Sequence, residues 1–266
     1  MRTLQFLLIC AAGVIIKTAI AAAPATVWLE QMTSPEVTAA IRAGKTTIIV
    51  PIGGTEQSGP HIALGKHNRR VAALAEKIAV ELGNALVAPV IAYVPEGALA
   101  PPTGHMKFPG TITVPASAYR AILESAARSF KLHGFLDIVF IGDHGDYQND
   151  NRTVASALSR EWAATPVRVH AVREYYDVPT TWFAKHLAGQ GHAAAEIGQH
   201  AGLADTALTL ALAPDLVRSD IQRGAVPTPA SGVNGDPRRA TAEQGQVAVD
   251  AIVAQTVAAI NKATKR

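Results

Sequence analysis

The chain is almost without cysteine. Its single one, Cys10, sits in an N-terminal apolar stretch. Once that stretch is removed, no thiol is left for a disulfide, a thiolate nucleophile or a cysteine metal site. Any bound metal must be held by His, Asp and Glu, a donor set that suits zinc, manganese or iron. Charge is also scarce, at 17% of residues against 48% hydrophobic. That balance excludes a disordered chain and implies a well-packed core. Blocks of basic residues and aromatic-basic interleaving are missing, which argues against nucleic acid as a partner. There is no G-x-S-x-G elbow. "GQGHAA" (Gly189–Ala194) lacks the third glycine of a dinucleotide loop and reads as a plain loop.

Long apolar runs are missing too. "LQFLLICAAGVII" is followed by Lys17, short of the roughly 20 residues that a membrane span requires. With Arg2 before it and Ala19-Ile20-Ala21 after it, the stretch reads as an export signal with an A-x-A cleavage site. Residues 1–21 are therefore expected to be a signal peptide, and residues 22–266 one domain, periplasmic or secreted and free of the membrane after cleavage. Loss of Arg2 and Lys17 lowers the formal charge from +3 to +1, so the basic character says little about partners.

What remains alternates in an α/β rhythm. Strands are expected at 46–52, 85–91, 136–142 and 167–172, where short apolar, β-branched runs occur. Helices are expected at 67–82, with Val71, Leu74, Ala75 and Ile78 on one face, at 115–134 with Gly134 as the stop, near 151–163, and at about 241–260. The pattern predicts a three-layer α/β/α fold with a mostly parallel sheet. In such sheets ligands bind outside the carboxyl ends of the strands. Two polar clusters lie there: Glu56–His67 after the first strand and Asp143–Asp146 after the third.

Five blocks carry a resemblance. They are "PIGGTEQSGPHIAL" from Pro51, "GHMKFPGTITV" from Gly104, "FIGDHGD" from Phe140, "HAGLADTALTLAL" from His200 and "GVNGDPRRATAEQG" from Gly232. In this order they resemble the creatininase family of metal-dependent amidohydrolases. The family pattern runs G-[ST]-x-E-Q-H-G-P-H-L-P-L then T-D, H-x-x-FPGT, N-G-H-G-G-N, H-A-G-E-x-E-T-S, and G-D-P with A-T-x-E-x-G. The resemblance spans nearly all of residues 22–266.

It implies a creatininase-like fold and a site that normally holds two metals bridged by an aspartate. Residue by residue, Glu56, His144 and Asp146 match family ligands. Two positions depart: Ser58 stands for a ligand histidine and His67 for the bridging aspartate. A neutral imidazole has one lone pair and cannot bridge two cations, and a serine hydroxyl is a poor zinc ligand. Glu56, His67 and His144 then form a two-histidine, one-carboxylate set for one divalent ion, zinc first, with an open position for water. His67 has a second reading, as a helix-opening residue that points to solvent. Asp146 is expected to orient or deprotonate a water, or else to serve as an acid at a helix N-terminus. By the resemblance His200 is the general acid toward the leaving nitrogen. Ser58, His105 and Asp205 are expected near the pocket, and His61 fixes the turn. Tyr175, Tyr176 and Trp182 lie where a pocket wall or lid could form.

The expected activity is hydrolysis of a non-peptide C–N amide bond, cyclic or linear, in a small-molecule substrate. The altered ligands and the export signal argue against creatinine itself. The resemblance implies a homo-oligomer, often a hexamer. Two other readings stand beside this one: a catalytically inactive member that binds a ligand or supports an assembly, and a metal-free serine nucleophile in which Ser58, His67 and Asp146 meet as a triad.

Overall fold

The computed structural model describes residues 26–224 and 228–265. The expected signal peptide, residues 1–21, lies outside the described residues.

Four parallel strands form one sheet, β1 (Thr47–Ile52), β2 (Ala85–Val87), β3 (Asp137–Gly142) and β4 (Arg168–Ala171), in the order β2-β1-β3-β4. Every residue of β1 and β3 is buried, as a parallel sheet covered on both faces requires. The expected strand at 85–91 stops early at Val87. Pro89 has no N–H to continue the ladder, and Ile91 rejoins β1 only through a single bridge to Ile52.

The helices divide between the two faces. Around α1 (Ser34–Arg42), α3 (Ala116–His133) and α4 (Gln148–Glu161), Ala40, Leu123 and Leu158 pack with Ile48, Val50 and Phe140 of the sheet. On the other face α2 (Lys66–Leu82), the helix Leu203–Leu212 and the C-terminal helix Ala242–Ala263 bury Leu74, Ile78, Leu208 and Ile252 with Ile49 and Val139. This is the three-layer arrangement expected from the sequence.

Local chemistry sets the ends. Gly134 closes α3 at φ +101°, a left-handed C-cap that other residues adopt at a cost. Thr241 and Gln244 exchange hydrogen bonds in a capping box that opens the C-terminal helix. None of the described helices is long and apolar enough to cross a membrane.

The chain leaves β1 toward β2 on one side and β3 toward β4 on the other. The crevice between the carboxyl ends of β1 and β3 is thus the switch point where α/β sheets bind ligands. One of its walls depends on close helix packing. A Cβ on Gly245 would stand 1.9 Å from the carbonyl oxygen of Ala207, in the helix that carries Asp205. Gly245→Val is expected to lower stability by about 1–3 kcal/mol through overpacking, read as a lower urea midpoint.

Candidate metal centre

The loop after β1 begins with two glycines. Gly54 holds φ +152°, a region that side chains avoid, and its N–H donates to Asn68 Oδ1 of α2 at 3.0 Å. Farther on, the Glu56 N–H donates to the Leu64 carbonyl at 3.1 Å. These contacts fold the loop back over α2 and leave the Glu56 side chain fully buried. Beside it, Tyr147 joins the two strand ends. Its hydroxyl hydrogen is shared between the carbonyls of Ile52 and Gly53, at 2.9 and 2.7 Å, and its oxygen accepts from the His144 N–H at 3.0 Å.

Glu56 lies among four histidines. Its Oε2 is 2.9 Å from His67 Nε2 and 3.9 Å from His200 Nδ1, and its Oε1 is 3.1 Å from His105 Nε2 and 3.4 Å from His144 Nε2. Glu56, His67 and His144 present ligand atoms all within 4.8 Å of one another, and so do Glu56, His105 and His200. The structure therefore brings together the three expected ligands, and His67 points inward rather than to solvent.

The tautomers separate the two triads. His67 Nδ1 donates to Asp143 Oδ2 at 2.7 Å, so Nε2 turns its lone pair toward a carboxylate oxygen. A proton or a metal ion has to lie between those two acceptors. A carboxylate behind the outer nitrogen is how metal-binding histidines are oriented and made more basic. In the other triad the Gln57 amide donates to the Gly232 carbonyl and accepts from the Gly59 N–H. Its NH₂ group is thereby aimed at His105 Nδ1, which leaves the His105 proton on Nε2, facing Glu56. His200 Nε2–H donates to the Gln57 carbonyl at 2.9 Å, with no carboxylate behind it. Of the two sets, only Glu56–His67–His144 has a histidine held from behind by a carboxylate.

Electrostatics agree. Burial acts to raise the Glu56 carboxyl, but His144, His67 and the Lys66 charge outweigh it and hold the group well below the usual carboxylate range. Burial pulls His144 down, yet Glu56, Glu96 and Asp146 raise it to about 9. The carboxylates thus draw positive charge to His144 Nε2, and a divalent ion would compete with that proton. Burial and the Lys66 charge push His200 down to about 3, so its ring is neutral near pH 7.

Around this centre lies a buried charge network. Arg70 donates to Asp143 Oδ2 through Nε and Nη2 at 3.0 and 2.7 Å and to Asp205 through Nη1. Asp205 also pairs with Lys66 and accepts from the Ala201 N–H at 2.7 Å. Tyr175 O–H donates to Asp143 Oδ1 at 2.9 Å. Burial raises both aspartates, and the neighbouring cations outweigh it and hold both below their ordinary range.

The remaining expected residues fall as follows. Asp205 anchors Lys66 and Arg70. His105 stacks on His200 with ring centroids 4.0 Å apart. His61 is buried and bonds Thr206 Oγ1 at 3.0 Å, which ties the turn to the helix 203–212. Asp146 is exposed on the wall of the cleft. Tyr176 lines the cleft, Tyr175 is core, and Trp182 stacks on His186. The serine triad does not form: Ser58 Oγ is buried with no hydrogen-bond partner among the described residues, and His67 is oriented by Asp143, not Asp146.

Sequence reasoning missed Lys66, Arg70, the orienting part played by Asp143, and Glu96. A signal for the first two was present. Lys66 and Arg70 continue, one turn at a time, the buried face of α2 that runs through Leu74 and Ile78, and charges on an apolar face need partners. Glu96 sits on an irregular segment without periodicity.

The cleft has a volume of about 780 Å³ and is lined by His67, His105, His144, His200, Asp146 and Tyr176 among others. A parallel α/β sheet with a histidine-carboxylate cluster at its switch point is the architecture of a metal-dependent hydrolase. The family model described as creatininase, creatinine amidohydrolase, matches residues 30–260, and the chain belongs to this family. It is 27% identical over 221 residues to the mycofactocin precursor peptide peptidase of Mycolicibacterium smegmatis, covering 75% of this chain and 78% of that protein. It is 24% identical over 251 residues to the creatinine amidohydrolase of Pseudomonas putida, covering 86% and 94%. A crystal structure of creatinine amidohydrolase superposes with a TM-score of 0.77 at 22% identity, over 91% of this chain and 99% of that one. Creatininase structures described as Zn-Zn and Mn forms share the fold, each with a TM-score of 0.75.

Arg70→Met removes the cation shared by two buried carboxylates, leaving Lys66 alone on Asp205 and only His67 and Tyr175 on Asp143, and is expected to cost about 3–5 kcal/mol at pH 7. Because Asp143 and Asp205 are held below the ordinary value of 3.8, their contribution is full above that pH and is lost as the pH falls. The gap between wild type and variant in urea denaturation should therefore narrow below about pH 4.

Proposed function

We propose that this family member is a mononuclear, divalent-metal hydrolase of a C–N amide bond, with Glu56, His67 and His144 as ligands and zinc the expected ion, manganese or iron the alternatives. The observation that carries this reading is the line from Asp143 through His67 to Glu56. It sets an imidazole, held from behind by Asp143, against a buried carboxylate, with His144 alongside. Ser58 and His67 favour a single ion, since a hydroxyl is a poor zinc ligand and an imidazole cannot bridge.

When bound, a divalent ion supplies Lewis-acid polarisation of a carbonyl and makes a nearby water more acidic. The chain's own residues do the rest. His200 is tethered through Nε2–H to the Gln57 carbonyl, which leaves Nδ1 as the atom that would carry a proton to the leaving nitrogen. Asp146, on the cleft wall, is suited to orient the attacking water. His105 stacks on His200 and keeps that ring in place. A cleft of this size fits a small molecule. The relatives' names include a precursor-peptide peptidase and a creatinine amidohydrolase, so cyclic amides and short peptides both belong in a substrate screen. The same proposal places the enzyme outside the cytoplasm after loss of residues 1–21, as a homo-oligomer.

Elemental analysis of the purified protein tests it. About one divalent ion per chain is expected, lost in both Glu56→Ala and His144→Ala, with amide hydrolysis abolished by a chelator and restored by zinc or manganese. Two tightly held ions would overturn the mononuclear reading. No ion, even after reconstitution, would leave an inactive ligand-binding member of the family.

A further inference from the structure

Glu96 has no place in the family pattern quoted above, and its environment is unusual for a carboxylate. The residue is 2% exposed, and neither Oε atom accepts a hydrogen bond from any described residue. Its backbone is fixed, since the Glu96 N–H donates to Thr113 Oγ1 at 3.0 Å. Space has been kept for its side chain, because a Cβ on Gly54 would stand 2.5 Å from Glu96 Oε1. A desolvated carboxylate without donors is expensive unless a cation lies against it.

Its neighbour is His144. Nε2 of that ring lies 3.4 Å from Glu96 Oε2 and 3.4 Å from Glu56 Oε1. Ligand atoms on one tetrahedral zinc, with bonds of about 2.1 Å, are about 3.4 Å apart. Charge balance points the same way. Lys66 and Arg70 are engaged by Asp205 and Asp143. Glu56 and Glu96 are thus two carboxylates facing imidazoles, and one divalent ion neutralises the pair.

We propose that Glu96 is a further ligand of the ion held by Glu56, His67 and His144, a buried carboxylate in a chain that carries Ser58 where the family pattern has a histidine, so that the reacting water would join as a fifth ligand. Glu96 lies outside the compact triad, so a turn of its terminal carboxylate toward the ion is part of the proposal. The inference rests on the metal reading above.

Zinc affinity by competition with a chromophoric chelator, and the visible spectrum of the cobalt(II)-loaded protein, test it on wild type and on Glu96→Gln, which keeps the side chain's shape. Loss of an outer partner weakens metal binding by about 10–100-fold. Loss of a ligand is expected to exceed about 100-fold and to change the cobalt bands. Unchanged cobalt bands would overturn the assignment, whatever the affinity. Should Glu96→Gln fail to fold, Glu96→Asp shortens the reach of the same group, and wild-type zinc affinity in that variant would equally overturn it. Wild type that binds neither zinc nor cobalt would remove the metal reading itself, and this inference with it, an outcome distinct from a metal-binding wild type matched by its variants.

Discussion

Asp143 stands at the end of β3 with Arg70 and His67 on one carboxylate oxygen and the Tyr175 hydroxyl on the other. Arg70 reaches on to Asp205, which also takes Lys66. This one network joins β3, α2 and the helix Leu203–Leu212 beneath the cleft. Burial of that many charges is tolerable only because each has an opposite partner at hydrogen-bonding distance. The position of His67 and the packing of three elements are therefore consequences of the same ion pairs.

Much of the fold was legible because its determinants are local. Runs such as Thr47–Ile52 and Asp137–Gly142 are apolar and β-branched, and they are buried along their whole length. Gly134 and the Thr241–Gln244 capping box mark helix ends in the sequence itself. The strand expected over 85–91 ends at Val87 because Pro89 interrupts the ladder.

The site was legible where a family motif names residues and illegible where tertiary approach decides. Glu56, His67 and His144 come from three separate segments, and the structure brings them together. The choice between Asp143 and Asp146 as the partner of His67 could not be read from spacing. Asp143 faces inward toward α2 and Asp146 outward to the cleft, a difference set by the turn that Tyr147 clamps. Glu96 has even less local signature, since nothing about a Pro-Glu-Gly stretch foretells that its carboxylate will be enclosed behind His144.

The buried network also limits how this protein can change over evolutionary time. A cluster of enclosed ion pairs can often be exchanged wholesale for well-packed apolar side chains with a gain in stability. Here Asp143 belongs both to that cluster and to the orientation of His67, so the exchange would release the imidazole from its tautomer. Selection for a more robust fold and selection for a functioning site then pull on the same few atoms. Lineages of this chain would be expected to gain stability elsewhere, at helix ends and on the surface, while the interior charges stay fixed as a group.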